Sequence, residues 1–183
     1  MWIAIIIIAL VLIMIISIYN GLIKAQQQVN NAWSQISVQL QRRFDLIPNL
    51  VETTKAYSNF EAKTLQKVTE LRTAWANSSS VSEKAKLDTE LSGALKTIMA
   101  VSENYPDLKA NTQFTELMEE LRSTENKIAY SRQFYNDSVT RYNTKLSLFP
   151  SNIIANMFNF KAKELFKTEN EDVKKNVKVN FDN

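Results

Sequence analysis

The sequence predicts an all-α protein: an N-terminal transmembrane helix followed by an up-and-down (antiparallel) four-helix bundle of long helices. Three observations carry this. No charged side chain occurs from Met1 to Ile23. Beyond that run, apolar residues recur at three- and four-residue steps through most of the chain, the spacing of one helix face. Glycine occurs twice and proline three times in 183 residues, too few turn-formers for a sheet-rich protein.

The apolar run comes first. As a helix, Trp2 to Tyr19 is about 27 Å long and extension to Ile23 gives about 33 Å. The hydrocarbon core of a bilayer is about 30 Å thick, so residues 1–23 can span it and give the chain a lipid-bilayer partner. Trp2 and Tyr19 stand at the two ends, where amphipathic rings favour the headgroup region, and are the expected membrane-interface anchors. A cleaved signal peptide fits less well. No lysine or arginine precedes the run, and the nearest small-residue triplets, Tyr19-Asn20-Gly21 and Ile23-Lys24-Ala25, begin with bulky residues. An uncleaved anchor is expected. Lys24, Arg42 and Arg43 all follow the span, so the positive-inside rule favours an outside N-terminus and a cytoplasmic body over the reverse.

The body is expected over residues 24–166. A heptad-like, coiled-coil-type stripe runs through Trp33, Ile36, Leu40, Phe44, Ile47, Val51 and Thr54, and continues in phase through Phe60/Glu61, Leu65, Val68, Leu71 and Trp75. Pro48 interrupts the donor series inside it. Unbroken phase favours a kink there, whereas Asp45 could cap a new helix at a corner. Asn77-Ser78-Ser79-Ser80 reads as a turn. Ser82 and Glu83 then open a helix through Leu87, Leu91, Leu95, Ile98 and Val101, which ends by Tyr105-Pro106-Asp107. A long helix follows from about Asn111 to Phe149, where Pro150 stops it. Ser151 to Phe166 reads as a shorter final helix, either capping the bundle or lying at the membrane surface. The tail, residues 167–183, is charged, and Val177-Lys178-Val179-Asn180-Phe181 alternates as a short extended end.

The same inventory excludes much chemistry. Histidine and cysteine are absent, which removes imidazole and thiol nucleophile devices, zinc sites and disulfides. Two glycines cannot build a phosphate-binding loop. A net charge of +3 gives no ground for a nucleic-acid partner. No nucleophile–base pair or metal-ligand set stands out, so no catalytic, cofactor or metal site is expected.

Two polar groups remain. Arg42, Arg43, Asp45 and Asn49 share neighbouring faces around Pro48. Glu125 and Arg132 are seven residues apart, as are Asn136 and Asn143, so each pair returns to one face after two turns. The first group fits a surface ion pair with a cap at the Pro48 break, or a polar layer inside the bundle, or a partner-binding patch; together the two groups are a candidate structural or partner-binding polar cluster. If the arginines are internal, Glu125 is their expected partner, because buried charges must be paired. Tyr135-Asn136 and Tyr142-Asn143 form a ladder that suits core packing with satisfied hydroxyls, or a ligand-binding stripe.

The residues also resemble the LemA family of bacterial single-pass membrane proteins. The resemblance rests on Trp33-Ser34-Gln35-Ile36 and the run Val38-Gln39-Leu40-Gln41-Arg42-Arg43-Phe44-Asp45-Leu46-Ile47-Pro48-Asn49-Leu50-Val51-Glu52-Thr53. It resumes at Tyr105-Pro106-Asp107-Leu108-Lys109-Ala110-Asn111 and Thr124-Glu125-Asn126-Lys127-Ile128-Ala129. Arg132, Tyr135-Asn136, Tyr142-Asn143, Phe149-Pro150 and Val179-Asn180-Phe181 complete it. It implies one N-terminal span and an up-and-down helical bundle, with no established enzymatic activity or cofactor. The sequence departs at Ser37, where aspartate is usual, and at Phe60, where members often have histidine, so no metal role is carried over there. The function expected is a non-enzymatic scaffold or adaptor for unidentified protein partners at the cell membrane, with self-association compatible. The alternative is an extracytoplasmic ligand-sensing bundle acting through a membrane partner, with Tyr135, Tyr142 and Arg132 as the pocket wall.

Overall fold

The computed structural model describes residues 1–55 and 62–167. Every regular element among them is a helix: α1 (Trp2–Asp45), α2 (Ile47–Lys55), α3 (Ala62–Asn77), α4 (Val81–Ser102), α5 (Pro106–Lys109), α6 (Thr112–Ser147) and α7 (Ser151–Met157). They divide into two compact units. One holds residues 1–39 and 127–165, the other residues 40–126 and the described part of 166–183. The position expected at Phe60/Glu61 and the extended end at 177–181 lie outside the described residues.

In the first unit, α1 begins with turns that touch nothing. Every residue from Trp2 to Met14 is exposed. This helix is long and apolar enough to cross a membrane, and its apolar window is wholly unburied, unlike the core helix of a soluble protein. Burial starts at Leu22 and continues through Ala25, Val29, Ala32 and Ile36, alternating steps of three and four. On α6 the buried apolar positions of this unit are Ile128, Tyr135, Val139 and Tyr142. Trp33 packs its ring 5.6 Å from that of Tyr135.

The C-terminal segment of this unit departs from the expected helix through Phe166. α7 stops at Met157 because Asn159 adopts a left-handed conformation with φ 56°. Phe160 N–H donates to the Ala155 carbonyl at 2.9 Å and Asn159 N–H to the Asn156 carbonyl at 3.3 Å. This is a Schellman stop with asparagine in place of the usual glycine. From Phe160 the chain is non-helical.

In the second unit, α1 ends at Asp45 and α2 starts after Leu46 alone. Pro48 offers no N–H to the Phe44 carbonyl and its ring crowds that group, which breaks the ladder. The ladder resumes at once, with Leu50 N–H donating to the Leu46 carbonyl at 3.1 Å. The break is a one-residue interruption. α3 packs on α4 across the Ser78–Ser80 turn. Lys67 of α3 meets Glu90 of α4 at 2.8 Å, while Trp75 lies under the Lys84 ammonium, 4.7 Å from its centroid, so the two helices run antiparallel.

α4 starts at Val81, one residue before the expected Ser82, and takes its cap from the expected turn. Ser80 is the cap, its Oγ accepting from Glu83 N–H at 3.1 Å, while Ser78 Oγ donates to Glu83 Oε2 at 2.9 Å. Ser80→Ala should lower stability by about 1 kcal/mol, read as a fall of a few degrees in melting temperature. A melt indistinguishable from the parent would show that the cap is not used.

Candidate functional site

The polar residues singled out around Pro48 separate by depth. Arg43 occupies the apolar phase of α1, one turn after Leu40 and before Ile47, and is fully buried. Its Nη1 donates to Asp88 Oδ1 at 2.7 Å, and its Nη2 stands 3.6 Å from Glu125 Oε2. Asp88 comes from α4 and Glu125 from α6, so one guanidinium meets carboxylates of two other helices. Arg43 Nε and Nη2 make no hydrogen bond among the described residues. The guanidinium therefore depends heavily on Asp88, which the sequence reading did not single out. The available signal was its phase: Asp88, Leu91, Leu95 and Ile98 follow steps of three and four, placing an acid in the buried stripe.

Arg42 points elsewhere. Its Nε and Nη2 both donate to Glu120 Oε1, at 3.1 and 2.6 Å, in a pair that water reaches from both sides. Asp45 accepts from Gln41 Nε2 at 2.7 Å on the surface. Asn49 lines an open groove of about 620 Å³ with Glu52, Asn111, Glu116 and Glu120. Arg42, Arg43, Asp45, Asn49 and Glu125 thus belong to the second unit, and Arg132, Asn136 and Asn143 to the first. Arg132 and Asn136 are both half-buried on α6.

The tyrosine and asparagine ladder has a use within the first unit. Tyr135 hydroxyl donates to the Glu164 carbonyl at 2.8 Å and Tyr142 hydroxyl to the Lys161 carbonyl at 3.1 Å. Between them, Asn143 Nδ2 donates to the Lys163 carbonyl at 2.9 Å, and Asn143 Oδ1 accepts from Lys163 N–H at 3.0 Å. Three side chains at helical spacing therefore hold the non-helical segment 161–164 along α6. All these bonds go to main-chain atoms, so they fix a backbone path whatever side chains it carries. The hydroxyls that a ligand-binding stripe would offer are already bonded to the chain itself.

Burial, and then the nearby Glu164 charge, push the Tyr135 phenol above its ordinary value; burial alone does so for Tyr142. Below pH about 10 both folded and unfolded chains keep the Tyr135 proton. Above it the unfolded chain loses the proton first, so stability falls as pH rises until the folded pKa is reached. Tyr135→Phe should therefore lower stability by about 1 kcal/mol near neutrality and flatten its decline with alkali. Urea titrations at neutral and alkaline pH read both effects; an unchanged alkaline slope would contradict the assignment.

These features define a membrane-associated, all-helical protein whose buried polar groups tie helices together. The chain belongs to the LemA family, whose model matches residues 32–181. It is 31% identical over 141 residues to Protein LemA of Metamycoplasma hominis, an alignment covering 74% of this chain and 63% of that protein. Magnetosome protein MamQ 2 of Paramagnetospirillum magneticum is 25% identical over 174 residues, with 81% of this chain and 64% of that protein covered. Magnetosome protein MamQ of Magnetospirillum gryphiswaldense is 23% identical over the same length and shares. The chain thus spans a little under two thirds of the curated relatives it matches. None of these names is that of an enzyme.

Proposed function

We propose that the chain is a single-pass protein of the bacterial cell membrane and that its helical body is a non-enzymatic scaffold or adaptor for protein partners. Residues 1–23 are the anchor, 24–166 the body and 167–183 a charged tail. The body is an up-and-down four-helix bundle, with Arg43, Asp88 and Glu125 fixing helix register and the exposed helix faces meeting partners. Trp2 and Tyr19 hold the anchor at the two headgroup regions.

The observation that carries this reading is the continuity of α1. Its exposed apolar turns run without a break into the buried stripe from Leu22 to Ile36. A continuous helix holds the adjoining part of the body at a fixed distance from the bilayer, as a platform requires and a flexible tether does not provide. Lys24 next to the span supports a cytoplasmic body and an outside N-terminus.

Topology tests this reading against extracytoplasmic sensing. The chain lacks cysteine, and Ser79 is exposed in the α3–α4 turn. A Ser79→Cys variant should react with a membrane-impermeant maleimide only after cells are permeabilised. Labelling in intact cells would overturn the cytoplasmic assignment and favour a ligand-sensing body outside.

A further inference from the structure

The segment from Leu148 to Phe160 has two apolar faces, and the protein covers one of them. No residue between Lys145 and Lys161 is charged. Inward, Ile154 and Ala155 of α7 are buried with Leu22, and Ile15, Ile18, Tyr19, Leu146 and Phe160 pack around them. Outward, Leu148, Phe149, Ile153, Met157 and Phe158 are open, Phe149 being 79% and Met157 61% exposed. The other exposed large apolar side chains beyond residue 23, among the described residues, are Val38, Met99, Tyr130 and Phe134, spread along the chain. Single exposed apolar residues are ordinary on a protein surface; a concentrated group marks a contact.

The neighbours of this group identify its occupant. Ile15 and Ile18 belong to the apolar run of α1, and Tyr19 closes that run. A helix starting at Trp2 has risen about 27 Å by Tyr19. A hydrocarbon core about 30 Å thick that covers the exposed turns therefore reaches at least that residue. Whatever packs on Ile15, Ile18 and Tyr19 sits at the depth where hydrocarbon gives way to headgroups. Phe158 and Phe160 place their rings 4.7 and 5.8 Å from that of Tyr19, an aromatic cluster at the level where such rings concentrate.

We propose that the open face of residues 148–160 is a second membrane contact. α7 lies in the boundary between headgroups and acyl chains of the bilayer that α1 crosses, with Phe149, Ile153 and Met157 inserted. The proposal rests on the anchor reading of residues 1–23. Two polar side chains near the patch have protein partners: Ser151 Oγ contacts the Lys145 and Leu148 carbonyls at 2.6 and 2.9 Å, and Asn152 Oδ1 accepts from Ile153 N–H at 2.9 Å; Asn156 and Asn159 are exposed. At the boundary these amides keep headgroup and water contacts while the apolar side chains enter the acyl region. Because the segment is uncharged, it needs no anionic lipid.

The test uses the full chain reconstituted in phosphatidylcholine vesicles, spin-labelled at one introduced cysteine in each variant. Phe149→Cys and Met157→Cys report the patch, Leu10→Cys the span and Ser79→Cys the aqueous body. Collision with oxygen reports lipid, and collision with a water-soluble nickel chelate reports water. Positions 149 and 157 should show an oxygen-to-nickel ratio several-fold above position 79 and below position 10. If 149 and 157 match 79 while 10 reads as lipid, the second contact is wrong and the anchor stands. If position 10 also reads as water, the anchor reading fails and the proposal with it. Low collision with both reagents at 149 and 157, with or without spin–spin broadening, would assign the face to protein, a second copy or the chain's own tail, and overturn the lipid contact.

Discussion

Asp88→Ala should destabilise the body by about 3–5 kcal/mol, because it leaves a fully buried guanidinium without its hydrogen-bonded partner. For a chain of this size that is a fall in melting temperature on the order of 10 °C. Glu125 does not substitute, since its carboxylate is 3.6 Å from Nη2 and half open to water. The cost belongs to the stranded charge more than to the lost bond. Replacing both partners, Arg43→Met with Asp88→Leu, should therefore recover most of the loss. Arg42→Gln, which breaks the solvated pair with Glu120, should cost no more than about 1 kcal/mol. Thermal melts of the four proteins in the same detergent decide the matter. Equal small losses for Asp88→Ala and Arg42→Gln would show that Arg43 is not held by Asp88.

Phe44→Ala should cost a comparable amount, about 3–5 kcal/mol. The Phe44 ring is 1% exposed and stacks on Trp75 with centroids 4.9 Å apart and planes 19° from parallel. Its removal opens a void beneath an indole whose other face carries the Lys84 ammonium. In a close-packed interior, relaxation of the neighbours fills only part of the void left by so large a ring. Denaturant titration reads the loss directly. A change below about 1 kcal/mol would mean that the stack contributes little.

Much of this architecture is legible in the residues, for local reasons. The exposed apolar start of α1 follows from an uncharged run, the helices from three- and four-residue spacing, and the breaks near residues 48, 106 and 150 from proline. The end of α7 was not legible. Its signal is Asn159 in a left-handed conformation, and asparagine mid-segment is ambiguous where glycine would have been plain. The partner of Arg43 was equally hidden. Asp88 is one acid among nineteen, and a pairing across 45 residues is fixed only when helices pack. The ladder residues show a seven-residue repeat, yet Tyr135, Tyr142 and Asn143 bond to main-chain atoms of 161–164, which no side-chain pattern announces.

Membrane integration through residues 2–23 underlies the anchor, the orientation and the second lipid contact, and alkaline carbonate extraction tests it most directly. The unaltered chain is expected to remain with the sedimented membranes. A variant carrying Ile8→Lys and Leu12→Lys is expected to move to the supernatant, since each lysine near the bilayer centre costs about 2.5–3.5 kcal/mol. Release of the unaltered chain by carbonate would contradict the account, because the exposed apolar turns of α1 would then have to be covered by protein rather than lipid.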